Sequence, residues 1–407
     1  MTNHPTILFG VTSSQSLKLL GSLPQTLVEL DWDVHVVSNN DTHENPKNLR
    51  GVTVHHLPMS RKPAPISDLF SFIRWIILVK EIKPSIVSIG TPKAALLGLI
   101  ASKLCRVPVR IYHLRGLRLE TVRGIWGRVL HLLEFFAAKS STAILAVSES
   151  LKEEYCRLLP SQRDKVTVLG LGSSHGVDLD LFNPERWAKW TPPQSSLRRA
   201  LRAKVPILGF VGRFSEDKGA KEILSIGKAL SDRGAEHTLV IVGPLEGGGE
   251  VLSRLLNLGS HVVVTGPVRE VAPYYSIMDV LLLPTRREGF PNVVLEAAAL
   301  GVPAVTTTAT GAIDSVVDGE TGLIVRVRDD GAINQAIQNL LADFELRITL
   351  GRNARARVIR DFSEQYVANL HLSFLLGQLD RHGKDGSPSL ITGVEKRRLV
   401  GRDVSCT

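Results

Sequence analysis

The sequence is poor in cysteine, in aromatic residues and in long apolar runs. Its three cysteines, Cys105, Cys156 and Cys406, stand far apart in 407 residues. An odd, scattered set fits neither a disulfide framework nor a cysteine-based zinc site. Aromatic residues make up 5% of the chain, and no strand resembles a base-stacking platform, which counts against nucleic acid as a partner. No uninterrupted apolar stretch approaches the roughly 18–20 residues of a spanning helix. The most apolar window, Phe70–Ile82, is broken by Arg74 and Lys80. Met1–Val11 has one short apolar run and no basic leader, so no signal peptide is expected. The expected location is the cytoplasm, with contact at a membrane surface left open.

What the chain does have is bulk and uneven charge. Hydrophobic residues are 43% and charged residues 22%, enough for large cores and against disorder. The length suggests about two domains. The net charge of +9 divides into 23 basic and 16 acidic residues over 1–190, against 26 and 24 over 191–407. The window 61–128 alone holds 13 basic and 3 acidic residues. A basic half and a near-neutral half call for different partners, with anionic lipid and phosphorylated substrates among the options.

Short Val- and Ile-rich runs alternate with helix-length segments. Thr6–Val11, Val34–Ser38, Val52–His56, Ser85–Ile89, Val107–Leu114, Ala143–Val147 and Val166–Leu169 read as strands in the first half. Ile207–Val211, Thr238–Val242, His261–Thr265, Val280–Pro284, Ala304–Thr307 and Leu323–Val327 read as strands in the second. Continuous apolar strands suit a parallel sheet covered on both faces. Helices are expected at Ser16–Leu30, Ser67–Ile82, Ala94–Leu104, Gly127–Lys139, Ala220–Asp232, Glu250–Leu258, Asn292–Leu300, Ile333–Leu341 and Ser363–Leu379. Residues 183–205 hold Pro184, Pro192 and Pro193 and no strand signal, which puts the domain junction there. The reading is α/β: two doubly wound, Rossmann-like domains, 1–190 and 191–362, facing across a cleft. A C-terminal helix, 363–380, is expected to pack back on the first domain, and a basic tail, 381–407, to be flexible.

Ligands of open α/β sheets bind at the carboxyl ends of the strands, so the loops there are the candidates. Gly212-Arg213-Phe214-Ser215-Glu216-Asp217-Lys218-Gly219 follows a strand and precedes a helix. Glycine allows close backbone approach, and Arg213 and Lys218 with a helix N-terminus suit a diphosphate. It is not a P-loop, and a solvated turn is the competing reading. In Arg286-Arg287-Glu288-Gly289-Phe290-Pro291-Asn292-Val293-Val294-Leu295-Glu296, a loop carboxylate and a helix carboxylate about two turns apart can address two parts of one extended ligand. Carboxylates accept sugar hydroxyls well; an acidic helix start is the plainer reading. Thr306–Ala312 offers hydroxyls and a glycine for an anion cradle or, more simply, a Thr helix cap. In the first loop, Thr12–Ser16, the absence of G-x-G-x-x-G weakens an oxidoreductase reading, and Ser14 or Ser16 is a candidate cap. Asp31-Trp32-Asp33 and Asp178-Leu179-Asp180 resemble Asp-x-Asp metal motifs but sit among turn formers and read as structural. Gly247-Gly248-Gly249 reads as loop closure.

Taken together, the loops resemble glycosyltransferase family 4, retaining transferases of GT-B fold. The resemblance rests on five motifs in order: G-R-F-S-E-D-K-G, V-G-P-L-E, E-G-F-P-N-V-V-L-E, A-A-A-L-G-V-P-A-V and G-A-I-D-S-V-V-D-G-E-T-G-L-I-V. H-G-V-D-L-D-L-F-N-P is similar to the family's junction segment, with His175 where Asn is usual, and the likeness spans about residues 5–375. It implies that Gly212, Arg213 and Lys218 hold the donor diphosphate and that Glu296 binds the ribose. It implies that Glu288 sits beside the transferred sugar, with backbone amides of Gly289, Phe290, Asn292 and Val293 at the helix start. Catalytic roles would fall to Glu288, Arg213 and Lys218. Arg and Lys can stabilise a leaving nucleoside diphosphate without a metal, and no metal or other cofactor is expected. Many relatives carry a His after the strand equivalent to Arg110–Leu114. Here Arg115 takes that place and His113 falls two residues earlier, about 6–7 Å along a strand, so both are candidates. R-G-L-R-L-E-T and V-T-S-S-Q-S-L look like the bacterial subgroup building surface polysaccharides or lipid-linked oligosaccharides, which implies acceptor contacts at Ser13, Ser14 and Arg118.

The expected activity is therefore hexosyl or N-acetylhexosaminyl transfer from a nucleotide sugar, a UDP-sugar first, to a polyprenyl-diphosphate-linked or similar glycan acceptor. The expected location is peripheral, at the inner face of the cytoplasmic membrane. The basic half fits an anionic, membrane-borne acceptor, and Phe70–Lys83 is a segment that can lie on a membrane or pack as a core helix with a solvated basic face. A nucleotide-sugar epimerase or phosphorylase on a similar two-domain scaffold is the enzymatic rival; a basic lectin-like or nucleic-acid-binding protein is the non-enzymatic one.

Overall fold

The computed structural model describes residues 4–40, 49–60, 64–120, 122, 124–246, 249–258 and 262–382, without the side chain of Arg118. His261, Gly247, Gly248, Cys406 and the expected tail beyond His382 lie outside the described residues.

Among the described residues thirteen strands form two sheets. In the first, β1 (Thr6–Ser13), β2 (Asp33–Asn39), β3 (Thr53–His56), β4 (Ile86–Gly90), β5 (Val109–Leu114), β6 (Ala143–Ala146) and β7 (Val166–Val168) run in the order β3-β2-β1-β4-β5-β6-β7. In the second, β8 (Ile207–Val211), β9 (Thr238–Val242), β10 (Val262–Gly266), β11 (Val280–Leu283), β12 (Ala304–Thr307) and β13 (Gly322–Val325) run in the order β10-β9-β8-β11-β12-β13. Neighbours in the second sheet all pair parallel. Each sheet starts at its centre, winds one way and then the other. The switch points fall between β1 and β4 and between β8 and β11, where ligand crevices open at the carboxyl ends. Strands β4, β8 and β9 are buried along their whole length, which is why they read as largely apolar runs rather than alternating ones.

By packing, the chain divides into two compact units. Of the described residues, one comprises those within 4–113, 124–144 and 369–382; the other comprises those within 114–122 and 145–368. The core of the second unit gathers Phe210, Phe214, Ile241, Leu282 and Ile337 between sheet and helices, and the rings of Phe210 and Phe214 meet edge-on at 5.6 Å.

Three expectations about helices are corrected. The span Ser16–Leu30 is two elements, a 3-10 helix Ser14–Leu20 and an α-helix Leu23–Glu29. Gly21 at φ 55 breaks the first, and Pro24 is tolerated only in the opening turn of the second. Neither Ser14 nor Ser16 caps; the N-cap position is Ser13, and it makes no side-chain cap bond. Helices Glu149–Leu158, Ser195–Ala203 and Phe344–Asp361 lie where sequence periodicity announced none.

Candidate active site

The loop after β8 and the loop after β11 flank the switch point of the second sheet, and side chains from both meet there. Gly212 has φ 138, and a Cβ on it would meet open space. Its glycine is therefore required by conformation, and it leaves bare backbone at the strand end. Gly219, at φ 89, is glycine for a second reason as well: a Cβ would come within 2.3 Å of the Pro284 carbonyl oxygen. That close approach locks the two loops together. The Asp217 carbonyl accepts from the Arg286 amide at 3.0 Å and from the Thr285 hydroxyl at 3.2 Å.

So held, Lys218 Nζ lies 2.5 Å from Glu288 Oε1, with both side chains largely buried. Arg213 is more exposed. It donates to Glu246 Oε2 at 2.8 Å and lies 3.8 Å from Asp217, and the hydrogen bond to Glu246 raises its pKa. Arg286 reaches Glu216 and the buried Glu222, both at 3.2 Å, and so braces the same loops. The structure thus brings Lys218 and Glu288 into contact across the switch point, with Gly212 and Arg213 in the loop that carries Lys218.

The loop beyond Glu288 is held by its backbone. The Glu288 amide donates to the Thr310 carbonyl at 2.8 Å, and the Ser148 hydroxyl donates to the Gly289 carbonyl at 2.8 Å. A Cβ on Gly289 would lie 2.1 Å from the Arg115 carbonyl oxygen, so the backbone at Arg115–Gly116 passes directly against this loop. Phe290 is buried, its ring 5.5 Å from that of Phe362. Helix Asn292–Ala299 then begins, carrying Val293 in its first turn. Asn292 Nδ2 lies 2.5 Å from His175 Nε2, which ties the helix start to the segment with the unusual histidine. Glu296 Oε2 accepts from the hydroxyl of Tyr275 at 2.8 Å. Tyr275 is buried against Phe182, and burial, then the Glu296 charge, raises its pKa well above the ordinary value.

Other candidates fall elsewhere. Arg115 sits beside the Gly289 loop through its carbonyl, and burial pushes its guanidinium down to about 10. Arg118 lies in the short helical turn Arg118–Glu120. His113, Ser13 and Ser14 belong to the first unit. His113 is buried at the end of β5, in register with Gly90, its ring 5.4 Å from that of His371. Ser13 and Ser14 are buried where β1 ends. Nearby, the hydroxyls of Thr12 and Thr91 share a hydrogen bond of 2.7 Å across that sheet's own switch point.

In the Thr306–Ala312 segment the first two hydroxyls are already engaged by the sheet. Thr306 and Thr307 are buried and donate to the Leu283 and Thr285 carbonyls at 3.2 and 2.6 Å. Hydroxyls at a sheet's end serve its unpaired carbonyls first. Asp178 Oδ1 accepts from the amides of Asp180 and Leu181, both at 3.0 Å, which makes it a turn-forming residue. Among the described residues no group of three or more His, Cys, Asp or Glu is placed to hold a metal.

Tyr275, Glu246 and Ser148 were not assigned from sequence. Glu246 ends the V-G-P-L-E motif, but its partner Arg213 is set by strand pairing. Tyr275 and Ser148 reach the site only through tertiary packing.

Known proteins resemble the chain along most of its length. A model described as Glycosyl transferases group 1 matches residues 205–343, and one described as Glycosyl transferase 4-like domain matches 20–172. The chain is 39% identical over 360 residues to the capsular polysaccharide biosynthesis glycosyltransferase CapM of Staphylococcus aureus, covering 88% of this chain and 93% of that protein. It is 26% identical over 313 residues, 75% of this chain and 78% of that one, to the UDP-Gal:alpha-D-GlcNAc-diphosphoundecaprenol alpha-1,3-galactosyltransferase of Escherichia coli. The crystal structure of Anabaena Alr3699/HepE in complex with UDP and glucose shares the fold at TM-score 0.75 and 20% identity, over 92% of this chain and 100% of that one. With both domain models matched in order, and one relative similar along nearly the whole length, the chain belongs to the family 4 glycosyltransferases of GT-B fold and is a glycosyltransferase.

Proposed function

We propose that the protein is a retaining glycosyltransferase of surface polysaccharide synthesis that moves a sugar from a UDP-sugar to a glycan acceptor carried on a polyprenyl diphosphate. The observation that carries the reading is the pairing of Lys218 with Glu288 beside Arg213 at the second switch point. A donor diphosphate entering there offers its own negative charge to Lys218 and Arg213, and Glu288 is then free to accept the hydroxyls of the sugar. As the glycosidic bond breaks, charge grows on the leaving UDP, and the two cations with the first amides of helix Asn292–Ala299 stabilise it. Glu296, oriented by Tyr275, accepts the ribose hydroxyls. The charge stabilisation is complete without a metal ion. His113 or Arg115 takes the place beside the transferred sugar, and Ser13, Ser14 and Arg118 contact the acceptor.

The relatives' names support donor and acceptor class. One names UDP-Gal and a diphosphoundecaprenol-linked sugar, another capsular polysaccharide, and a structural neighbour was solved with UDP and glucose. Among the described residues no helix is long and apolar enough to cross a membrane, and we place the protein peripherally at the inner face of the cytoplasmic membrane.

The test is a donor screen with a polyprenyl-diphosphate-linked acceptor, read out as UDP release, with the anomeric configuration of the product determined by NMR. Retention with a UDP-sugar and unchanged turnover in chelator support the reading; inversion, or transfer from another nucleotide class only, overturns it. Incubation without acceptor separates the epimerase rival, which would interconvert the free donor.

A further inference from the structure

Three helices cover one face of the first sheet, and two of them turn apolar side chains toward solvent. Helices Pro65–Ile82, Pro92–Leu104 and Gly124–Ser140 join β3 to β4, β4 to β5 and β5 to β6. Strand order steps the same way each time, so right-handed crossovers put all three on one face. The middle helix packs against both neighbours.

Pro65–Ile82 turns only Ser71, Trp75 and Val79 fully inward. Its opposite side presents Ile66 (78% exposed), Leu69, Phe70 (64%), Ile73 and Ile77. Gly124–Ser140 buries Ala137, Ala138 and Ser140 and presents Ile125 (73% exposed), Trp126 (68%), Val129, Leu132, Leu133 and Phe136. At about 100° per residue, each set occupies roughly a third of its helix's circumference. A single exposed Leu or Ile is ordinary, but two stripes on one helical layer are not. A helix of a globular protein turns its apolar stripe to the core; these turn one outward. Exposed Arg74, Lys80 and Lys83 accompany the first stripe, and Arg128 and Lys139 the second. Of the acids on these helices, Glu81 is exposed, Glu134 is half-buried, and Asp68 is paired with Lys93 at 2.7 Å.

We propose that this layer docks the protein on an anionic lipid bilayer, with Phe70, Ile125 and Trp126 entering the boundary between headgroups and acyl chains while the flanking cations pair with lipid phosphates. Apolar stripe and adjacent cations are together the pattern of a helix lying in a membrane interface. A second copy is the poorer occupant, because two such faces meeting would oppose cations to cations. The inference rests on the membrane-borne acceptor proposed above and names the surface that reaches it.

The experiment uses the full chain and two variant pairs, Ile125→Ser with Trp126→Ser, and Arg74→Ser with Lys80→Ser. All four positions are exposed, and thermal melts confirm that each variant folds. Co-sedimentation is measured with vesicles of phosphatidylcholine alone and of phosphatidylcholine with phosphatidylglycerol. The wild type is expected to bind the anionic vesicles preferentially, the apolar pair to lower partitioning about ten-fold, and the cation pair to lower it at low salt. Transfer to a short-chain, water-soluble acceptor should stay at the wild-type rate in both. Absence of vesicle binding by the wild type, unchanged binding by both variant pairs, or a dimer in sedimentation equilibrium that the apolar pair dissolves would each overturn the proposal. Failure of the wild type to transfer to the soluble acceptor strikes the acceptor reading instead, and the vesicle measurements still decide the surface.

Discussion

Lys218 Nζ and Glu288 Oε1 lie 2.5 Å apart, so a cation from one side of the switch point and a carboxylate from the other neutralise each other. On the proposed reading, a donor diphosphate takes Lys218 away from Glu288. Removing either partner should therefore affect binding and turnover differently. Lys218→Ala is expected to lower kcat by about 10²–10³-fold, the scale of losing one preorganised donor of charge stabilisation. Glu288→Gln leaves Lys218 without its competitor. UDP should then bind as tightly or more tightly by calorimetry, while kcat falls. Normal turnover in Lys218→Ala with Arg213→Ala would remove the diphosphate assignment.

Tyr275 acts through Glu296. Its hydroxyl donates to Oε2 at 2.8 Å, and its ring is buried, so the pair is fixed before any ligand arrives. Tyr275→Phe keeps the ring and deletes one hydrogen bond of about 1 kcal/mol. The donor KM should rise about five-fold with kcat nearly unchanged. Glu296→Ala should raise it further, and the double variant should be no worse than Glu296→Ala alone. Additive losses would mean that Tyr275 acts elsewhere.

Gly289 tests the packing beneath the loop. An added methyl would lie 2.1 Å from the Arg115 carbonyl oxygen, which is backbone and has no flexible end to give way. Gly289→Ala should cost about 1–3 kcal/mol, as overpacking does, and displace Glu288 with the loop. The melting midpoint falls and turnover falls with it. Gly212→Ala is the contrast: its Cβ meets open space but its φ is 138, so the cost there is conformational.

The centre of the second sheet is readable because β8, β9, β11 and β12 are buried along their length and mostly apolar; Ile207–Val211 and Thr238–Val242 match the expected bounds. Helix Phe344–Asp361 was not readable because its inward face is Arg347, Leu350, Gly351, Ala354 and Val358. Small residues and a buried arginine give no apolar stripe. Arg347 is tolerated inside because it donates to the Leu340 and Leu341 carbonyls and lies 3.7 Å from Asp279. Lys218 and Glu288 were nominated by loop position and motif, but their contact is not written in either loop. It follows from Gly219 meeting Pro284, a consequence of strand order. Tyr275 had no local signal at all, standing 21 residues from its partner. The bonds of Thr306 and Thr307, at the end of β12, to strand carbonyls are not legible locally, because hydroxyls near a glycine look alike whether they face an anion or a strand carbonyl.

At the edge of the first sheet, His35 Nε2 lies 3.0 Å from Asp33 and His35 Nδ1 lies 2.9 Å from His55 Nε2, with the rings stacked at 5.2 Å. With Nε2–H of His35 donating to Asp33, Nδ1 must accept, and Nε2–H of His55 donates. A proton added to His35 Nδ1 would set two donors against each other. Burial first, then the charge on His35, lowers the His55 pKa below 6.5. The unfolded chain therefore binds more protons as pH falls through and below 6.5, and stability must fall in that window. His55→Gln retains a donor toward His35 without a titrating ring. Urea midpoints at about pH 7.5 and about pH 5.5, the range in which histidine titrates, should differ less in this variant than in the wild type. Hydrogen exchange should place the lost acid sensitivity in β2 and β3. Equal pH dependence in the two proteins would show that the edge pair does not govern it.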